Sequence, residues 1–148
     1  MGQYYKLVNI TKGQFIEPLS FNDGSKLLEF GSSGDGTMLG LSILLASGNG
    51  RGGGDLFSDK QVVGSWAGDQ IVIAGDYADE GLFVPEGVNL NLYDYARENY
   101  RDISGLVWEA LLDNSYIFSN VEKMMNQDYC SDSCKEILVN FMSIKNPK

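Results

Sequence analysis

The prevailing hydrophobic repeat of this chain is two in the first half, interrupted by two short helical pieces, and near 3.6 from about Asn89 onward. Few folds accept that order of signals, because it asks for strands first and helices afterwards. "QYYKLVNI" sets Tyr4, Lys6, Val8 and Ile10 against Tyr5, Leu7 and Asn9, an alternation rich in strand formers. "TKGQ" then supplies a turn with Gly13 free to take positive φ, and "FIE" ahead of Pro18 reads as the returning strand. "QVVGSW" and "QIVIAGDY" read as a second hairpin joined by "AGD", with Gly68 at the tight position. Their near-continuous apolar character predicts a central place in the sheet, covered on both faces.

Helical signals flank this second pair. Ser25 is placed to cap "KLLEF", which stops at Gly31, and Thr37 to cap "MLGLSILLA", apolar almost all round and ended by Gly48. Beyond Asn89, Leu92, Tyr95, Ala96 and Tyr100 share one stripe, as do Leu106, Val107, Ala110 and Leu111. "SNVE" (Ser119 to Glu122) and "SCKE" (Ser133 to Glu136) read as capping boxes opening two further helices. The prediction is a single α+β domain over residues 1–148: an antiparallel sheet of at least four strands built from two hairpins, with helices mainly from the C-terminal half. A chain of this length buries about 70% of its unfolded surface and needs no covalent staples.

Residue usage then removes whole mechanisms. There is no histidine, so neither a Ser-His-Asp nor a Cys-His centre can form within one chain, and the commonest transition-metal ligand is missing. The formal charge of −9 repels nucleic-acid backbones and anionic membranes, and it suits a basic protein partner. Cys130 and Cys134 are too few for a secreted disulfide framework, "MGQYYKLVNI" is no signal peptide, and the apolar run from Met38 to Ala46 is far short of a membrane span. A soluble cytoplasmic protein is expected, without nucleic-acid or membrane partners and without a cofactor.

Two features invite a small ligand. Nine of the 18 glycines fall between Gly31 and Gly54, around a short helix. Glycine lets backbone amides turn inward on an anion, a helix N-terminus adds its dipole, and Arg51 adds a charge. Gly34, Gly36, Thr37, Arg51, Gly52, Gly53 and Asp55 are therefore candidate ligand-binding residues for a nucleotide-like or phosphate-bearing anion. Against this, no Gly-Lys-Ser/Thr follows, "GNGRGG" comes after a helix instead of a strand, and Asp35 can itself satisfy the helix amides. Arg51 and Asp55 can equally pair with each other.

The second feature is acidic. No Lys or Arg occurs from Gln61 to Ala96, where Asp69, Asp76, Asp79, Glu80, Glu86 and Asp94 all fall. Oxygen ligands suit Mg²⁺ or Ca²⁺, but the spacing matches no EF-hand, and Asp69 and Asp76 stand at opposite ends of one predicted strand, about 20 Å apart at the usual rise. A solvated acidic edge is the simpler reading, and no metal site is assigned. Cys134, at the start of a predicted helix, has the position of an activated thiol but no neighbouring base in sequence. The tyrosines and tryptophans exceed what core filling needs, and such side chains are enriched where proteins bind.

Three pieces, "MGQYYKLVNI", "KLLEFG" and "SWAGDQIVIAGDY", together resemble a family of small uncharacterised bacterial proteins with fungal relatives. Its members begin MGQYY or MGQYW and carry W-A-G-D-x-I followed by G-D-Y. The resemblance covers roughly the first 100 residues and implies a shared scaffold, with no activity, ligand or catalytic residue attached. Gln3, Tyr4, Trp66, Asp69, Asp76 and Tyr77 are the matching positions.

Three functions are thus open. A non-catalytic acidic protein of inhibitor, immunity or regulatory type, engaging a basic protein partner, accounts for most of these features. The alternative is a binding protein for a small anionic ligand at the glycine loops around Arg51. A carboxylate-metal hydrolase comes third.

Overall fold

The computed structural model describes residues 2–47, 62–126 and 130–145. Four strands, β1 (Tyr5–Asn9), β2 (Gln14–Ile16), β3 (Ile71–Gly75) and β4 (Arg101–Asp102), form one sheet in the order β3-β1-β2-β4. The helices are α1 (Leu27–Gly31), α2 (Thr37–Leu45), α3 (Leu92–Asn99), α4 (Ser104–Leu111), α5 (Ser115–Met125) and α6 (Asp132–Lys145), with a 3₁₀ turn at Pro18–Phe21. The chain is a single α+β domain.

Both faces of the sheet are apolar, and each has its own cover. Register pairs Leu7 with Ile16 and Val8 with Phe15, so alternate residues of β1 serve opposite sides. Leu7 and Ile16 join the main core with Phe30, Leu44, Trp66 and Trp108 from the helical side. Val8, Phe15 and Ala74 join a smaller core under Leu92 and Ala96 of α3. A helix layer on each side explains why β1 alternates apolar with apolar instead of apolar with polar.

The sheet is mixed, not purely antiparallel: β1 pairs antiparallel with β2 and β3, but β4 runs parallel to β2, with Phe15 opposite Asp102. Among the described residues, only the first of the two expected hairpins forms. Its turn holds Gly13 at φ +65°. Residues 62–69 make turns, and β3 is an edge strand with Ile73 42% exposed, not a central one. The reason is visible in the hydrogen bonds. Gly64 N–H donates to Ile43 O (2.8 Å) and Trp66 N–H to Leu44 O (2.9 Å), so this apolar run closes the carbonyl end of α2 instead of extending a ladder.

Helix starts also differ from the local signals. α1 follows Lys26, whose backbone N–H donates to Glu29 Oε1 (3.1 Å), while the Ser25 hydroxyl has no hydrogen-bond partner among the described residues. α5 starts four residues before Ser119, capped by Asn114, whose side chain accepts from Ile117 N–H (3.0 Å). α6 is capped by Ser131, whose hydroxyl oxygen accepts from Cys134 N–H (3.2 Å), not by Ser133. α2 ends at Leu45, and Gly48, its expected terminator, lies outside the described residues. Among the described residues no helix is long and apolar enough to cross a membrane.

Candidate functional site

The N-terminus of α2, expected to face an anion, is occupied by a carboxylate of the chain itself. Asp23 Oδ2 accepts from Thr37 N–H (2.7 Å) and from the Thr37 hydroxyl (2.6 Å), and Thr37 is fully buried. The capping carboxylate is thus Asp23 and not Asp35. Gly36 lies against it, since a Cβ there would collide with Asp23 Oδ2, whereas Gly34 faces open space. Arg51, Gly52, Gly53 and Asp55 lie outside the described residues.

The residues matched by the family resemblance divide into fasteners and exposed rings. Trp66 is fully buried, and its indole N–H donates to Gln14 Oε1 (2.8 Å). Asp69 Oδ2 accepts from Asn9 Nδ2 (2.8 Å) and Lys12 Nζ (2.5 Å), tying the 65–70 turn to the β1–β2 turn. The hydrogen bonds from Asn9 and Lys12 hold the Asp69 carboxyl below the usual aspartate range. At the other end of β3, Asp76 N–H donates to Tyr4 O and Asp76 Oδ1 accepts from Tyr4 N–H, both at 2.9 Å. Gln3 lies over Gly75, where any Cβ would meet its amide. Tyr4 and Tyr77 are 49% and 62% exposed. Asp69 and Asp76 therefore stand at opposite ends of β3, as their spacing predicts, and Asp69 is already engaged. Among the described residues no group of three or more His, Cys, Asp or Glu side chains is arranged to hold a metal ion.

Asp76 opens the loop from β3 to α3, in which every residue from Tyr77 to Gly87 except Val84 is exposed. Asn91 closes its base: its side-chain amide donates to Asp76 O (2.9 Å), and its Oδ1 accepts from Asp94 N–H (2.9 Å), capping α3. Gly81 N–H donates to Leu90 O (3.1 Å) and Val88 N–H to Pro85 O (3.2 Å), and Val84 packs on the smaller core. Held this way, the loop carries Leu82 and Phe83 outward, 51% and 58% exposed, and the same loop bears the exposed Asp79, Glu80 and Glu86. Phe83 has φ +64°, in the left-handed region that bulky residues avoid. Sequence reasoning reached Tyr77 and the acids but missed Leu82 and Phe83, whose only local signals are the flanking Gly81 and Pro85.

Two titratable groups sit inside the fold. Lys6 Nζ pairs with Glu17 Oε2 at 2.9 Å, with side chains 6% and 17% exposed, and lies 3.7 Å from the centre of the Tyr93 ring. Burial pushes Glu17 above the ordinary glutamate value despite Lys6. For Lys6, burial acts downward but is outweighed by Tyr93 and Glu17, which raise it. The Cys134 thiol is buried, not activated: burial pushes its pKa up, and Cys130 and the Asp23 charge add to the rise. Comparison of the chain with known protein families, with curated proteins and with solved structures gives no match.

Proposed function

We propose that this chain is a non-catalytic binding protein that engages a basic segment of a partner protein through the loop between β3 and α3. Phe83 carries the reading. A bulky residue in the left-handed region costs about 1–2 kcal/mol, and it persists only where surrounding structure enforces it. Here the enforced conformation places an aromatic ring in water beside Leu82, an arrangement that fold stability alone does not reward. Exposed aromatic and aliphatic anchors ringed by polar groups are the usual centre of a protein interface.

Charge selects the partner. Asp79, Glu80 and Glu86 are exposed on the same loop as those anchors, and the sequence contains no Lys or Arg between Gln61 and Ala96 to neutralise them. A complementary surface offers a hydrophobic pocket for Phe83 with lysines or arginines at its rim. The acids speed and orient the encounter, and the apolar anchors hold it. Regulation, inhibition or immunity by steric cover needs no catalytic group, which fits a chain without histidine.

Panning a displayed peptide library against the folded chain tests this. The expected result is enrichment of peptides with an apolar residue flanked by Lys or Arg, lost when Asp79, Glu80 and Glu86 are all changed to Lys. Enrichment of neutral or acidic peptides, or equal capture by the reversed variant, would overturn the reading.

A further inference from the structure

A second site lies on the other face of the sheet, among the helices of the main core. A cavity of about 130 Å³ opens between the 3₁₀ turn, α4 and α5. Its inner wall is apolar: Phe21 and Trp108 are almost wholly buried and stack at 5.3 Å, with Ile117, Val121 and Met124 beside them. Its remaining lining is polar and of one sign, with Asp23, Asp35 and two asparagines but no Lys or Arg.

The walls are fixed by bonds that do not fill the cavity. Asn22, held at φ +61°, donates from its amide to Met124 Sδ (3.3 Å) and accepts from Ser131 N–H (2.7 Å), spanning from the 3₁₀ turn to α5 and α6. Trp108 Nε1 donates to Ser20 O (2.7 Å), which fixes the indole. Thr37 occupies Oδ2 of Asp23. Asp35 is exposed and has no hydrogen-bond or ion-pair partner among the described residues.

From this juxtaposition we infer that the cavity is a binding site for a primary alkylammonium group on a short hydrocarbon stem. The volume decides the size: an apolar protein cavity of about 150 Å³ holds benzene, so this one takes a stem of roughly four or five carbons. The lining decides the charge. Two carboxylates and no cation repel phosphates and carboxylates, and a charge-assisted hydrogen bond from an ammonium to Asp35, with the Asp23 charge nearby, offsets its lost hydration. The stem covers the apolar wall as the ammonium stays at the wet rim, the way lysine side chains lie along proteins. A free amine and the side chain of a lysine share this chemistry.

The test is titration of the folded chain with n-butylammonium, followed by amide and indole NMR shifts. The matched probes are 1-butanol, butyrate and Nα-acetyl-lysine amide. Expected are saturable shifts centred on Trp108 and Asn120 with butylammonium, with at least tenfold weaker effects from butanol and none from butyrate. Asp35→Asn, at an exposed position, should weaken binding by about tenfold with the fold intact. Val121→Phe, which fills the cavity, should abolish it. Tighter binding of the lysine amide than of butylammonium would identify a protein side chain as the natural occupant, and weaker binding a free amine. Equal response to butanol, shifts away from the cavity, or no change in Asp35→Asn would overturn the inference.

Discussion

Asp23 caps a helix that begins 14 residues further on: one oxygen, Oδ2, takes both the backbone N–H and the hydroxyl of Thr37, at 2.7 and 2.6 Å. The glycines before α2 let the chain come close enough for that contact, since Gly36 has no room for a Cβ beside the carboxylate. What looked in sequence like a cradle for an external anion is filled from within at this end. Asp23→Ala should cost about 1–2 kcal/mol, in the upper range for a lost N-cap. Asp23→Asn should cost less, because an amide oxygen still accepts. Urea unfolding with an unchanged m value checks both.

The Lys6–Glu17 pair should be far more sensitive to single changes than to a double one. Lys6→Met leaves a buried carboxylate without its partner and should cost about 3–5 kcal/mol, whereas Lys6→Met with Glu17→Leu should recover most of that. Denaturant melts of the wild type and the two variants at neutral pH measure the difference. A double variant no better than the single would point to the Lys6–Tyr93 contact instead of the pair.

Linkage gives the same pair a pH signature. Lys6 is raised in the fold above its ordinary 10.5, so its contribution is whole below that value and is lost as pH rises through the folded pKa. Glu17 is raised from 4.5, so the fold binds its proton more tightly than the unfolded chain does. Its contribution therefore declines as pH rises above 4.5. Stability of the wild type relative to Glu17→Gln should thus fall from pH 4.5 upward, and relative to Lys6→Met it should fall above pH 10.5. Thermal melts across both windows read these slopes; an opposite sign near pH 4.5 would contradict burial as the cause at Glu17, and one above pH 10.5 would contradict the raising contacts of Tyr93 and Glu17 at Lys6.

Cys130 and Cys134 should part company under alkylation. Cys134 is fully buried with its thiol pKa raised by burial, while Cys130 is half-buried. In native buffer iodoacetamide should label Cys130 more than ~tenfold faster than Cys134, and denaturant should remove the difference. Peptide mass mapping at timed quenches separates the two sites.

Local patterns carried the parts of this fold whose partners are close in sequence. The β1–β2 hairpin and the α3 stripe of Leu92 and Ala96 follow from alternation and period alone. The misread caps of α1, α5 and α6 are local choices between neighbouring residues, but the larger failures share a cause, a partner further along the chain. Residues 62–66 have the composition of a strand, but their amides close α2, and the cap of α2 comes from Asp23. β4 is two polar residues whose pairing with β2 no local signal announces. At the candidate site, the acids, Asp76 and Tyr77 were legible, because charge runs and the resemblance mark them. Phe83 was not, because residue type alone places a phenylalanine in the core. Only the loop's hydrogen bonds turn Val84 inward and Phe83 out.

That inversion sets up a test in which stability and binding move apart. Phe83 sits at φ +64° and is 58% exposed, so its removal forfeits little packing and relieves a left-handed strain of about 1–2 kcal/mol. Glycine would relieve the strain but add freedom to the unfolded chain, which asparagine, a residue tolerant of this region, adds less. Phe83→Asn should therefore leave the melting temperature unchanged or raise it by a few degrees, with a gain of up to about 1 kcal/mol. The same variant should lose at least ~tenfold in affinity for the basic peptides captured by the wild type, since an aromatic anchor at an interface is worth more than 1.4 kcal/mol (about tenfold). Calorimetry and peptide titration on one preparation give both numbers. Loss of stability in step with loss of binding would mean that the ring supports the fold, and the strain at Phe83 would then belong to the architecture instead of to recognition.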